Sequence, residues 1–182
     1  LQATDLKTRV RMTMGQRKDF IEVAKTELGI VEGPKENETK YGAFTKANFL
    51  PWCGSFVMWC ANEVGLKIPN VVSTSVGAQA FMKKGQWEDA EVAMPLPGDI
   101  IFFDFPGDNI NRVSHVGIVT KDNGDGTVNV MEGNTSPDKK GDQRNGGEVC
   151  LKRRAYKKKN GLAIKKSLPV YVVGFGKPVF KS

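Results

Sequence analysis

Apolar and polar positions change period once along the chain. From Gln16 to Leu28, Phe20, Val23, Ala24 and Leu28 recur at three- and four-residue spacing, which predicts an amphipathic helix stopped by Gly29. The same spacing links Phe56, Val57, Cys60, Ala61 and Val64, with Gly65 placed to end the helix. Pro51 cannot continue a helix backwards, so this second helix is expected to begin within a residue or two of Cys53. Ser73 to Lys84, ending at Gly85, is a third helix candidate. Beyond residue 95 the period becomes that of strands. Pro95 to Asp99 reads as a turn feeding the apolar run Ile100-Ile101-Phe102-Phe103, followed by candidate strands Val113–Val119, Thr127–Glu132, Glu148–Tyr156 and Val170–Phe175. Asp122-Asn123-Gly124-Asp125-Gly126 has hairpin-turn composition and does not fit the ligand spacing of an EF-hand. Helices first and strands afterwards predict an α+β fold.

Between these elements lie two long polar stretches, Glu32–Gly42 and Thr135–Gly147, whose length suits functional loops. Residues 1–14 show no periodicity and are expected to form a flexible arm, with 15–178 a single domain and 179–182 a tail. The chain of 182 residues is large enough for one domain with a real core. No apolar run approaches the length of a membrane span. The first residues, Leu1 to Leu6, lack the charged and apolar regions of a signal peptide, so synthesis in a host cytoplasm without one is expected.

Charge is concentrated in one segment. Residues 139–167 hold eleven Lys/Arg against two acids, Asp142 and Glu148, while the rest of the chain is slightly acidic. That segment is suited to attract polyanions, among them anionic wall polymers and nucleic acid. A solvated strand and loop with no ligand would carry the same charge.

The chemistry starts at Cys53. A thiol at a helix N-terminus sits beside unpaired backbone N–H groups and the positive end of the dipole, and both favour the thiolate. Cys60, seven residues on, lies inside the apolar stripe and reads as core; Cys150 lies in a strand-like stretch with no activating neighbour. Three cysteines without a Cys-x-x-Cys are neither a disulfide framework nor a zinc site. The sequence has one histidine, His115, so a cysteine hydrolase with a histidine base has a single assignment. With the hairpin turn centred near Gly124, position 115 lies opposite position 133, within a residue. Glu132 and Asn134 flank that position on one strand face, and either can reach the imidazole.

Four blocks carry a family resemblance. Pro-Trp-Cys-x-x-Phe-Val-x-Trp at 51–59, Pro-Gly-Asp-Ile-Ile-Phe-Phe at 97–103, Ser-His-Val-Gly-Ile-Val at 114–119 and Glu-Gly-Asn-Thr at 132–135 stand in the order found in the cysteine, histidine-dependent amidohydrolase/peptidase (CHAP) domain. The resemblance covers about residues 16–176. Gly33-Pro34 with Asn37-x-Thr39-Lys40-Tyr41-Gly42, and the ending Val173 to Pro178, are most similar to CHAP domains of bacteriophage endolysins. The resemblance implies a papain-like α+β fold and cleavage of amide bonds in peptidoglycan by a monomer. It implies Cys53 as nucleophile and His115 as base, with Glu132 orienting the ring and Asn134 supporting. Tyr41 is a candidate second oxyanion donor beside the Cys53 amide, and Trp52 a candidate groove wall, both as substrate contacts. Some relatives hold calcium in an Asp-rich loop before the cysteine; Glu36-Asn37-Glu38-Thr39-Lys40 has no paired aspartates and contains a Lys, so neither metal nor cofactor is expected.

Two other readings remain open at this stage. One is a bacterial wall-remodelling hydrolase of the NlpC type. The other is a non-catalytic wall or nucleic-acid binder using residues 139–167, against which stand the complete Cys/His/Glu set and the lack of regularly placed aromatics.

Overall fold

The computed structural model describes residues 15–159, 162–163 and 169–181, with helices preceding strands as the change of period requires. Helix α1, Gln16–Thr26, buries Phe20, Ile21, Val23 and Ala24 on one face and carries Asp19 in its first turn and Lys25 in its last, each suited to the dipole. Helix α2, Lys40–Thr45, begins inside the end of the stretch expected to be a loop and runs past it. Thr39 caps it by accepting the Gly42 N–H at 2.9 Å, and Lys46 ends it in the left-handed region at φ 59°. Helix α3, Cys53–Glu63, begins at the thiol, as Pro51 predicts, and buries seven residues of its first three turns. Helix α4 spans Thr74–Lys83.

The strands are β1 Trp87–Asp89, β2 Ile100–Phe103, β3 His115–Asp122, β4 Thr127–Thr135, β5 Glu148–Ala155, β6 Lys158–Lys159, β7 Leu162–Ala163 and β8 Val172–Gly176. Six of them form one antiparallel sheet in the order β1-β8-β2-β3-β4-β5, and β6 pairs with β7. The short edge strand β1 is not legible as a strand in the sequence.

Two cores flank the sheet. Under α3 lie Phe56, Val57, Cys60, Ile100, Phe102, Val116, Ile118 and Met131; the opposite face gathers Ile101, Phe103, Phe105, Val128, Val130 and Phe175. The alternation along β2 and β3 follows from the two-residue period of a strand with both faces covered. Tyr41, expected in a polar loop, lies fully buried against Trp52, Phe56 and Trp59 at centroid distances of 5.3–5.4 Å. Residues 179–181, expected as a tail, are docked instead. Phe180 meets Phe20 at 6.1 Å and Arg17 at 4.3 Å, and the Lys181 amide donates to Gln16 Oε1. The expected arm, residues 1–14, and Ser182 lie outside the described residues.

Glycines set how closely α3 approaches its neighbours. A Cβ on Gly133 of β4 would lie 2.7 Å from the Phe56 Cβ and 2.9 Å from the Trp52 ring. A Cβ on Gly54, the second residue of α3, would run into the backbone of Val71 and Val72. Backbone atoms cannot swing aside as a flexible side chain can, so Gly54→Ala must shift the helix start. We expect it to lower stability by about 1–3 kcal/mol in a denaturant titration. Unchanged stability would show that the contact with the 71–72 segment does not position the helix.

Candidate active site

Three adjacent elements bring three side chains together. Cys53 is the first residue of α3, His115 the first of β3, and Glu132 the sixth of β4. Helix α3 packs on both strands. Trp52 occupies the N-cap position without a side-chain capping hydrogen bond, so no side chain competes for the amides around the thiol.

His115 has no exposed surface. Its Nε2 lies 2.7 Å from Glu132 Oε1, while Nδ1 has no hydrogen-bond partner and is the ring atom left for the Cys53 thiol. A Cβ at Gly117, one turn of the pleat along β3, would stand 2.9 Å from the Glu132 Cγ, so this glycine gives the carboxylate its room. Phe103 and Phe105 wall the imidazole at centroid distances of 5.7 and 5.4 Å.

The electrostatics run against burial at each member. Burial alone would push the Cys53 thiol up, but the charge of His115, with the Val116 and Gly54 amides, outweighs it and holds the thiol below its usual value. Burial likewise disfavours a charged His115, yet Cys53 and then Glu132 raise it to about 9. Glu132 is fully buried and still held at about 2, against desolvation, by Arg154 first and His115 second. The other two thiols behave oppositely. Burial pushes Cys60 well above its ordinary value, with Glu27 adding to the effect, and lifts Cys150 to about 11 with help from Glu148. Of the three cysteines, only Cys53 has its thiol held below the ordinary value.

Asn134 does not join this group. The β3–β4 register carries a bulge between Val119 and Lys121, which moves the pairing to Ile118 opposite Met131, one residue from the register expected of an even hairpin. Asn134 sits at φ 57°, and its side chain donates to Asn145 Oδ1 at 2.9 Å and Asn37 Oδ1 at 3.4 Å while accepting the Gly147 amide at 3.1 Å. It therefore ties the 135–147 loop to the loop before α2.

The two expected substrate contacts are corrected by their burial. Tyr41 and Trp52 have no exposed surface. The Tyr41 hydroxyl donates to Glu27 Oε2 at 2.6 Å, and burial with that carboxylate pushes its pKa far up, so it offers no donor to an oxyanion. The Trp52 indole N–H donates to Glu32 Oε2 at 2.8 Å and anchors the loop before α2. The 36–40 stretch gathers no ion-binding set: Glu38 accepts the Lys35 amide, Glu36 accepts from Asn145, and Asn37 meets Asn134. Among the described residues no group of three His, Cys, Asp or Glu side chains is arranged to hold a metal ion.

One member of the constellation was hidden in the sequence. Arg154, counted only within the basic segment, donates from Nε to Glu132 Oε2 and from Nη2 to Oε1, both at 2.7 Å. Its signal exists only once β5 is paired with β4.

Comparison with known proteins places this geometry. Among solved structures the chain is similar to a Staphylococcus aureus subsp. aureus Mu50 protein described as similar to lipoprotein, NLP/P60 family, at TM-score 0.46 and 13% identity over 91% of this chain. The chain spans 42% of the length of that structure. No match was found among curated proteins. The family model described as CHAP domain matches residues 45–134, a stretch that begins in α2 and ends just past Glu132. The helix-start cysteine, the strand histidine and its carboxylate all lie within the residues that match the CHAP domain model.

Proposed function

We propose that the protein is a cysteine hydrolase that cleaves amide bonds of bacterial peptidoglycan. One observation carries this reading, the 2.7 Å contact of the buried Glu132 carboxylate with His115 Nε2, which leaves Nδ1 to the thiol at the start of α3. The CHAP match over the same residues supports it.

In this reading the Cys53 thiolate adds to the amide carbonyl carbon, and the negative charge passes to the carbonyl oxygen. The first-turn amides of α3 are the donors nearest that oxyanion, the Cys53 N–H foremost. The His115 imidazolium then gives its proton to the amide nitrogen as the C–N bond breaks, leaving a thioester on Cys53. Water attacks the thioester, His115 takes up its proton, and the carboxylate product leaves with the thiolate restored. Glu132 accepts from Nε2–H throughout and stabilises the cationic ring without itself being protonated. Cys53, His115 and Glu132 are the working set, and Asn134 holds the loops that border it.

We place the cut in a peptide bond of the stem or cross-bridge, ahead of the N-acetylmuramoyl-L-alanine amide, because a papain-like groove takes extended peptide on both sides of the cysteine. A bacteriophage endolysin acting as a monomer on the wall is the setting favoured by the blocks at 33–42 and 173–178. The basic segment would steer the domain to anionic wall polymers. Lys139 and Lys140 are exposed there, whereas Lys152, Arg153 and Arg154 are engaged within the protein, and much of 160–167 lies outside the described residues.

Purified cell walls test the reaction. Cys53→Ala should abolish release of soluble fragments while keeping the fold; Cys60→Ala should keep activity and lose about 1 kcal/mol of stability. Mass spectrometry of the wild-type digest then reads the bond. New amino groups within peptides still attached to muramic acid support the endopeptidase, and intact stem peptides freed from the glycan support the amidase instead. Full lysis by Cys53→Ala would sink the mechanism.

Glu132→Gln keeps the shape but weakens the hold on imidazolium, so kcat should fall roughly 100-fold or more with KM little changed. Asn134→Ala should act mainly on KM and stability, since its bonds go to the loops. The opposite ranking of the two variants in kcat would exchange their roles.

For the basic segment, Lys139→Glu with Lys140→Glu should slow lysis at low salt. The loss should fade as the Debye length falls below about 10 Å. An equal loss at every salt concentration would reject steering.

A further inference from the structure

We propose that Arg154 is a positioning residue of the catalytic centre, acting on His115 through Glu132 and not on the substrate. The inference rests on the reading of Cys53 and His115 given above.

Arg154 lies on β5, opposite Val128 of β4. Its guanidinium fork meets both Glu132 oxygens, and Oε1 serves Arg154 and His115 at once, each at 2.7 Å. The carboxylate is thus fixed by two cations on different strands. The guanidinium also lies over Phe103 and Phe105, 5.4 and 5.2 Å from their centroids, and these same rings wall His115. Its side chain is 14% exposed, so the contact is shielded from water and salt.

The neighbours in sequence have other attachments. Arg153 is held by Asp125 and Thr127, and Lys152 donates to the Ser136 carbonyl at 2.6 Å. The titratable groups around Glu132 and His115 are Cys53 from α3, and Cys150, Lys152 and Arg154 from β5. Lys152 is not poised to replace the arginine, because its ammonium is committed to the Ser136 carbonyl and burial works against its cation.

Two consequences follow from one fork. A carboxylate with no exposed surface stays ionised only while paired; without Arg154, burial favours its neutral form. A neutral Glu132 no longer stabilises imidazolium, and the thiolate that depends on imidazolium is lost with it. The planar bidentate contact also fixes the rotation of the carboxylate, and through Nε2 the rotation of the ring that turns Nδ1 to Cys53. A lysine would supply the charge without the plane.

The test reads the thiolate without using a wall substrate. In the full chain, the rate of Cys53 alkylation by iodoacetamide is followed against pH, with peptide mapping to separate Cys53 from Cys60 and Cys150. In Arg154→Met the rate at neutral pH should fall on the order of 100-fold and the acid limb should move to higher pH. On walls, kcat should fall in step, with KM little changed. Arg154→Lys should recover part of both; if Arg154→Met does not fold, Arg154→Lys carries the test with a smaller shift in the same direction. Arg153→Met should leave the profile in place. The double variant Glu132→Gln/Arg154→Met should be no slower than Glu132→Gln alone. An unmoved profile in Arg154→Met, or additive losses in the double variant, would overturn the proposal while leaving the Cys53–His115 reading intact. A wild-type Cys53 no more reactive than an ordinary thiol at neutral pH would overturn both.

Discussion

A histidine ring with no exposed surface can carry a charge only if an equally buried partner holds it. In this protein Cys53 and then Glu132, 2.7 Å from Nε2, hold it, and the Glu132 contact is the one that orients the ring. Desolvation would otherwise discharge the ring, and Cys53 would then be one more buried thiol, as Cys60 and Cys150 are. The site is a chain of alternating charges: guanidinium, carboxylate, imidazolium and thiolate. Each member is stabilised by the next, and burial strengthens every link by excluding water.

The fold serves this chain by supplying its members from elements that are themselves well packed. Cys53 opens a helix whose first turns are almost wholly buried; His115 and Glu132 stand on central strands covered on both faces. Gly54, Gly117 and Gly133 remove the side chains that would otherwise force helix, strand and carboxylate apart. Such rigidity means the reacting groups need little rearrangement at the moment of attack, the condition under which fixed dipoles and charges lower a barrier most.

What was legible in the sequence followed local rules. Pro51 and Gly65 bracket a helix by backbone chemistry alone, so the thiol at its start could be read directly. The Asp122–Gly126 turn predicted a hairpin, and with it a carboxylate near the only histidine. The bulge at Thr120 leaves no clear mark in the residue pattern; the shift it makes brings Glu132 beside Gly117 on the His115 face, whereas Asn134, at φ 57°, turns its side chain to the 135–147 loop, a backbone detail the sequence does not show. Tyr41 was misread because its surroundings are polar in sequence; its burial comes from α3 and Trp52, which are adjacent only in space. Arg154 was lost in a run of cations, since nothing in Lys152-Arg153-Arg154 tells which side chain faces inward until β5 is set in register with β4. Local chemistry thus yielded the nucleophile and base, and long-range pairing supplied what tunes them.

The single histidine makes the central claim directly measurable. Nitrogen-15 NMR of the imidazole in the wild-type chain gives one set of ring signals whose shifts report protonation without a substrate. His115 should be cationic at neutral pH and lose its proton near pH 9, and Cys53→Ala should lower that midpoint, because the thiolate is the largest influence raising it. A ring that is neutral at pH 7 and titrates near or below the ordinary histidine value of about 6.5 would contradict the buried ion pair on which this account rests.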